Sequence, residues 1–391
     1  KLILIPNKGD FARGIFATLY TKIDENLEDI VAKYEAFYKN DPSFIAPLET
    51  EVENIFDPTH NSFFKHGICT RWLLYNDKKI VGRIAAFINH EKAKVTDVPT
   101  GGIGFFECIN DQEAANILFN TGIIWLQQNG MQAMEGPINF GENDSWWGLL
   151  IDGFRPPSMN MNYNPPYYQQ LFENFGWQKE YDQLTNVIDL RKPVPERFTK
   201  IAEWVTKKPG YSFRHFTKKD FTGFSEDFKE IYNDAWRDFE NFTPIDSASI
   251  NDQFERMKPI LDEKIIWFAY YNNEPVAFVI CLPNTNQILR YVNGRLDLIG
   301  KLKYLWYNNT KKIDRIRAIV MGVKQKYQHK GIESALIYIL KQEVLPRNTF
   351  KEVELAWVGD FNKKMMDVHA ATGAHLEKVH RTYRYIFKRH S

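Results

Sequence analysis

The chain has 391 residues, of which 44% are hydrophobic, 15% aromatic and 25% charged, and its 50 Lys+Arg against 49 Asp+Glu leave a formal net charge of +1. That length holds two cores of ordinary size, and the composition is that of folded globular protein, excluding disordered and collagen-like classes. Near-neutral charge also argues against a general nucleic-acid binder, which needs a basic excess on some face.

Apolar strand-like runs alternate with helix-period stretches from end to end, so the class is α/β (α+β). In chain order, WLLYNDKKIVGRIAAF from Trp72 reads as a β-hairpin turning at Asn76-Asp77. GFFECINDQEAANILF follows as a strand and a helix, with Asn110-x-x-Glu113 as a capping box. Gly141 to Tyr163 is a long insert, after which NPPYYQQLFENFGW opens on Asn164 and predicts a helix ending at Gly176. Prolines 193, 195 and 209 mark a boundary segment, 191–210, that carries a short helix.

Beyond it the plan repeats. WFAYYNNEPVAFVICL from Trp267 is a second hairpin, turning at Asn272-Asn273, and NKKMMDVHAATGAH from Asn362 is a second helix ending at Gly373. The offsets between copies are 196 for the turn, 198 for the Asn and 197 for the Gly. Two structurally related domains in tandem are therefore expected, 1–190 and 211–391. The second copy carries its own insert, Asn284 to Asn309, long enough for a functional loop or lid.

Ile316 to Val323 then reads as a buried strand, followed by KQKYQHKGIES and a helix whose apolar face is Ile332, Ala335, Leu336, Ile339, Leu340 and Val344. A strand, a glycine-containing turn and a helix N-terminus point successive N–H groups outward, which makes an anion cradle. Charge agrees with this placement. Residues 301–330 hold nine Lys+Arg against the single acid Asp314, whereas residues 95–154 hold eight acids and no Lys or Arg.

Gln328-x-x-Gly331 after an apolar strand resembles the Q/R-x-x-G-x-G/A motif of the GCN5-related N-acetyltransferases (GNAT), with Glu333 where Gly or Ala is usual. The resemblance extends over the C-terminal half. FKEIYNDAWRDFENF and SINDQFERMKPILD match the family's two N-terminal helices, EVELAWV its fifth strand and NKKMMDVHAATGA its last helix. The first half resembles the same fold without the pyrophosphate turn. At a finer level, GFFEC, GPINFGENDSWWGLLIDGF and MNYNPPYY are similar to a bacterial group of tandem acetyltransferase-like proteins.

The resemblance implies acetyl-coenzyme A or a longer acyl-coenzyme A as co-substrate. Its pyrophosphate would lie on Gln328, His329, Lys330, Gly331, Ile332, Glu333 and Ser334, and its pantetheine along Met321 and Val323, with Asn362 in the closing helix nearby. The family often has a Tyr seven residues after that Asn as general acid, and His369 stands there; Glu354 is a candidate base acting through water. Asn139, Asn143, Asp144, Tyr163, Asn164 and Tyr167 are candidates for an amine-acceptor pocket between the two copies, or alternatively for turn chemistry.

The function these imply is acyl-coenzyme-A-dependent N-acyl transfer to a small-molecule or peptide amine. The alternatives are an inactive ligand-binding or regulatory protein of the same fold and an aminoacyl-tRNA-dependent transferase, the latter opposed by the acidic first domain. No nucleic acid is an expected partner. Cys69, Cys108 and Cys281 are scattered and odd in number, which points to a reducing cytoplasm. No apolar stretch reaches the roughly 18 to 20 residues that span a bilayer. The opening KLILIPNKGDFARG is too soon interrupted for a secretory signal, and His60 and His66 lack a third ligand for a metal.

Overall fold

A computed structural model describes residues 2–6, 37–38, 41–77, 79–238, 244–258 and 260–388. The described chain divides into two compact units, one of residues 1–183, 289–303 and 378–391, the other of 184–288 and 304–377.

In the first unit, strands β1 (Leu2–Pro6), β2 (Gly67–Asn76), β3 (Lys79–Asn89), β4 (Thr100–Cys108) and β5 (Ala133–Gly136) lie side by side in chain order. β1 to β4 are antiparallel and β4–β5 parallel, with helix α1 (Gln112–Gln128) as the crossover. Strand β6 (Leu149–Asp152) and helix α2 (Tyr168–Phe175) follow. The hairpin turns at Asp77, which takes φ +52°, and Gly176 ends α2 at φ +104°. Alternate residues of the hairpin feed opposite faces: Trp72, Leu74, Ile84, Ala86 and Ile88 pack with α1, while Cys69 and Phe87 meet Ile138 and Phe140.

The second unit runs through helix α3 (Glu196–Lys207), strand β8 (Tyr211–His215), helices α4 (Phe221–Trp236) and α5 (Ser247–Met257), and strands β9 (Ile266–Tyr271) and β10 (Glu274–Pro283). Helix α6 (Leu298–Thr310), whose residues up to 303 are counted with the first unit, precedes β11 (Arg315–Val323), which leads to α7 (Ile332–Val344), β12 (Glu352–Glu354), β13 (Val358–Gly359) and α8 (Lys363–Ala371). The two last residues of the expected DAWRDFENF helix end that lie past Trp236 and are described, Arg237 and Asp238, form a turn, and 239–242 fall outside the described residues. β9 and β10 read as continuous apolar runs because both faces of the sheet are covered. Val276, Val279 and Cys281 pack with Ile332, Leu336 and Leu340 of α7, whereas Phe278 and Ile280 pack with Phe224, Phe228 and Ile231 of α4.

Each unit is completed by a strand from the other half of the chain. The end of β7 (Gln178–Asp189) pairs with β12, Val187 opposite Glu354, and the end of β14 (His375–Ile386) pairs with β5, Tyr383 opposite Gly136. The boundary segment is folded: Phe198, Ala202 and Val205 of α3 are buried, and α3 packs along α7.

Candidate acyl-coenzyme A site and the buried charge cluster

The parallel ladder between β11 and β12 lasts three residues, from Arg315–Glu352 to Arg317–Glu354, and β11 then continues to Val323. On its other edge β11 stays paired with β10 up to Val323 opposite Ala277. The sheet therefore splits at Arg317 and Glu354. Along the split, β11 presents an edge that includes Met321 and ends at the buried Val323.

The turn that follows is pinned on one side by carboxylates. Lys324, which the sequence placed beside the phosphate turn, is buried and spends its ammonium on Glu230 and Glu274, the latter at 3.2 Å. The Gln325 N–H donates to Asp234 and the Tyr327 hydroxyl to Glu274. The Gln328 side chain donates back to the Val323 carbonyl at 3.2 Å. His329 (φ +61°) and Gly331 (φ +78°) take left-handed conformations, and Gly331 stands at the N-cap of α7 without a side-chain cap. His329 and Lys330 are exposed, and the Lys326 and Lys330 ammonium groups lie over the Tyr327 ring at 5.2 and 4.7 Å. Ile332 is wholly in the core; Glu333 and Ser334 occupy the first turn, half-buried, and burial raises the Glu333 carboxyl above its ordinary range.

The first unit treats the corresponding place differently. Asp111, one residue past the expected Asn110, caps α1 and takes the Glu113 and Ala114 N–H groups on its own carboxylate. Its backbone is the one extended into the cap geometry, at φ −144°. At the end of β4, Glu107 is buried and accepts from the hydroxyls of Tyr38 and Tyr168 at 2.8 and 2.7 Å, with Arg83 at 3.5 Å.

At the split itself a charged cluster is buried. Arg315 donates to Glu352 at 3.1 Å, to Glu354 at 2.6 Å and through both terminal nitrogens to Glu377, while Arg317 faces Glu354 at 3.4 Å. Burial works against the Arg315 charge, but hydrogen bonds and attraction from Glu377 and Glu354 outweigh it and push its pKa further up. Glu354 is completely buried rather than pointing to solvent.

His369 is buried in the last turn of α8, and burial alone lowers its pKa to about 4, so the ring is neutral at neutral pH. Its Nδ1 lies 3.1 Å from the side-chain amide nitrogen of Asn186. That nitrogen donates, which leaves the ring proton on Nε2. The carbonyl of the same Asn186 accepts from the Leu355 N–H, next to Glu354, so β7 joins the two residues proposed for catalysis. Asn362 caps α8, accepting from the Met365 N–H. Arg315, Glu377 and Asn186 carry no local motif: strand exchange brings Asn186 here on β7 from the first half of the chain, and Glu377 meets Arg315 from 62 residues further on, at the start of β14.

Of the acceptor candidates, Tyr163 and Tyr167 gather around Glu107–Cys108. The Tyr163 carbonyl accepts from Tyr38, its hydroxyl donates to Asp41, and Tyr167 donates to the Cys108 carbonyl at 2.7 Å. Asn164 does not open α2, which starts four residues later beyond Pro165-Pro166. It clamps β6 instead, accepting from Leu150 N–H at 2.8 Å and donating to Leu150 O at 3.0 Å. Asn139 is buried next to Phe140, and Asn143 and Asp144 are exposed. Among the described residues no group of three or more His, Cys, Asp or Glu is arranged to hold a metal.

Residues 227–374 match the family model of the Acetyltransferase (GNAT) family. A tandem GNAT protein from the clavulanic acid biosynthesis pathway shares the fold with a TM-score of 0.56 at 11% identity, over 99% of this chain and 98% of that one. The chain has the tandem GNAT fold, and its second half carries the match to the GNAT family model. A relative of this chain, the bacterial ceramide synthase of Caulobacter vibrioides, is 28% identical over 96% of this chain and 98% of its own length. The protein YghO of Escherichia coli is 27% identical over 95% of each chain.

Proposed function

We propose that the protein is an acyl-coenzyme-A-dependent N-acyltransferase, with residues 211–391 holding the acyl donor. The observation that carries this reading is the split at Arg317 and Glu354. It leaves a strand edge that runs straight into a left-handed turn and an uncapped helix N-terminus, the sequence of backbone donors that a pantetheine arm and a pyrophosphate require. Glu333 would tuck into the first turn rather than face the phosphates.

In this reading the thioester lies at the split, its oxygen on a backbone N–H near Val323, and an amine attacks it directly. The C–N bond forms as the C–S bond breaks. Solvent takes the proton of the amine and protonates the departing thiolate, while the neutral His369 offers its Nε2–H to the sulfur as a hydrogen bond; Glu354, sealed between Arg315 and Arg317, holds the split instead of acting as a base through water. The likeness to a ceramide synthase suggests an acceptor that is a long-chain amino alcohol and a donor with a long acyl chain. Three cysteines that are all free and buried agree with a reducing compartment.

Calorimetry with acetyl- and palmitoyl-coenzyme A tests the donor site, and thiol release with a panel of amines, long-chain amino alcohols included, tests the acceptor. Binding abolished by Gly331→Glu supports the site; unchanged affinity overturns it. Binding without thioester cleavage would favour a ligand-binding protein of the same fold.

A further inference from the structure

Helix α6 lies in the insert that precedes β11, and its outward face is apolar. Leu298, Ile299, Leu302, Leu305 and Trp306 are each between 57 and 77% exposed. Isolated exposed leucines are ordinary, but five on one 13-residue helix are a contiguous patch. At about 100° per residue they fall within an arc of roughly 120°. The opposite side holds Gly300, which is buried, with Tyr304 and Tyr307 half-buried, so the helix is seated on the protein by that side.

Charge frames the apolar arc. Lys301 and Lys303 project on its two flanks by the same helical spacing, and Lys311 and Lys312 follow its end. All four are exposed, and among the described residues none of them makes an ion pair. Asp297, the acid nearest the helix start, is spent capping the Gly300 N–H. The Arg295 guanidinium is paired with Glu49 at 2.6 Å.

We propose that α6 is an interfacial helix that lies on an anionic phospholipid bilayer, with Leu298, Leu302, Leu305 and Trp306 inserted at the headgroup boundary and the lysines on the lipid phosphates. A leucine-rich face with a tryptophan, bordered by lysines and free of acids, is the pattern of such helices. The same lysines argue against a second copy as occupant, because stacking two such faces brings like charges together. With 13 residues the helix reaches about 20 Å, enough to lie in the surface and too short to cross it. This inference is independent of the acyl-transfer reading.

Flotation of the full chain with vesicles tests it. The chain should float with vesicles of equal phosphatidylglycerol and phosphatidylcholine, much less with phosphatidylcholine alone, and less at high salt. Leu302→Asp/Trp306→Asp should reduce the bound fraction at least about tenfold. Lys301→Gln/Lys303→Gln should weaken binding about fivefold per lysine and flatten the salt dependence. Coenzyme A affinity in solution and melting temperature should be those of the parent in both variants. No flotation with anionic vesicles, or equal flotation of the Leu302→Asp/Trp306→Asp chain, overturns the proposal. So does a dimer in sedimentation velocity that this variant dissociates.

Discussion

A side-chain carbon built on Gly331 would lie 2.6 Å from Cγ2 of Ile201, closer than real side chains approach. Gly331 is therefore demanded twice, by its φ of +78° and by the closeness of α3 to the start of α7. Gly331→Ala should cost roughly 1 to 2 kcal/mol for the left-handed backbone and more for the displaced Ile201. Urea unfolding checks this, and adding Ile201→Ala should recover the packing part but not the backbone part.

His369 gives the protein an acid-side weakness. Its pKa falls from an ordinary 6.5 to about 4 on burial. Between those values the unfolded chain binds a proton that the folded ring refuses, so the contribution is whole above pH 6.5 and is lost as the pH falls toward 4. Lowering the pH from 7 to 5 should cost about 2 kcal/mol through this residue alone. Unfolding curves of His369→Gln should lack that part of the pH slope. If the ring also serves the leaving sulfur, His369→Ala should lower turnover at least about tenfold.

Arg315 is the shared partner of two carboxylates that have almost no access to water, Glu354 and Glu377. Arg315→Met should therefore destabilise by about 3 to 5 kcal/mol, chiefly by leaving those charges unpaired. Removing the charges as well, with Glu354→Gln and Glu377→Gln, should restore part of the loss, as a thermal melt of the triple variant would show. A triple variant no more stable than Arg315→Met alone would mean that the guanidinium acts through packing.

Tyr168 ties Glu107 to the backbone of β4, donating to the carboxylate at 2.7 Å and accepting from the Cys108 N–H at 2.9 Å. Tyr168→Phe should cost about 2 kcal/mol, since two fully buried groups lose a partner. Tyr167→Phe, half-buried and donating to the Cys108 carbonyl, should cost about 1 kcal/mol or less. Chemical denaturation of the two variants side by side distinguishes them.

The hairpins were legible because their turns are local chemistry. Asp77, Asn272 and Asn273 do take positive φ, and Gly176 and Gly373 do end their helices. Helix α7 was legible for the same reason, its buried Ile332, Ala335, Leu336, Leu340 and Val344 following the spacing of one helical face. The helix after Asn164 was misjudged by four residues because Asn164 found partners on β6, 14 residues back, a choice no local pattern contains.

By itself the sequence determined the two-copy plan, the strand–turn–helix of the second copy and its basic flank, all properties of neighbours along the chain. Only the tertiary structure decided that Lys324 faces carboxylates, that Glu354 is sealed between two arginines, and that His369 is neutral. Burial and partnership depend on which strands meet, and here β7 and β14 are exchanged between the halves. A residue's charge state follows from that exchange, and the one-dimensional order of the chain does not carry it.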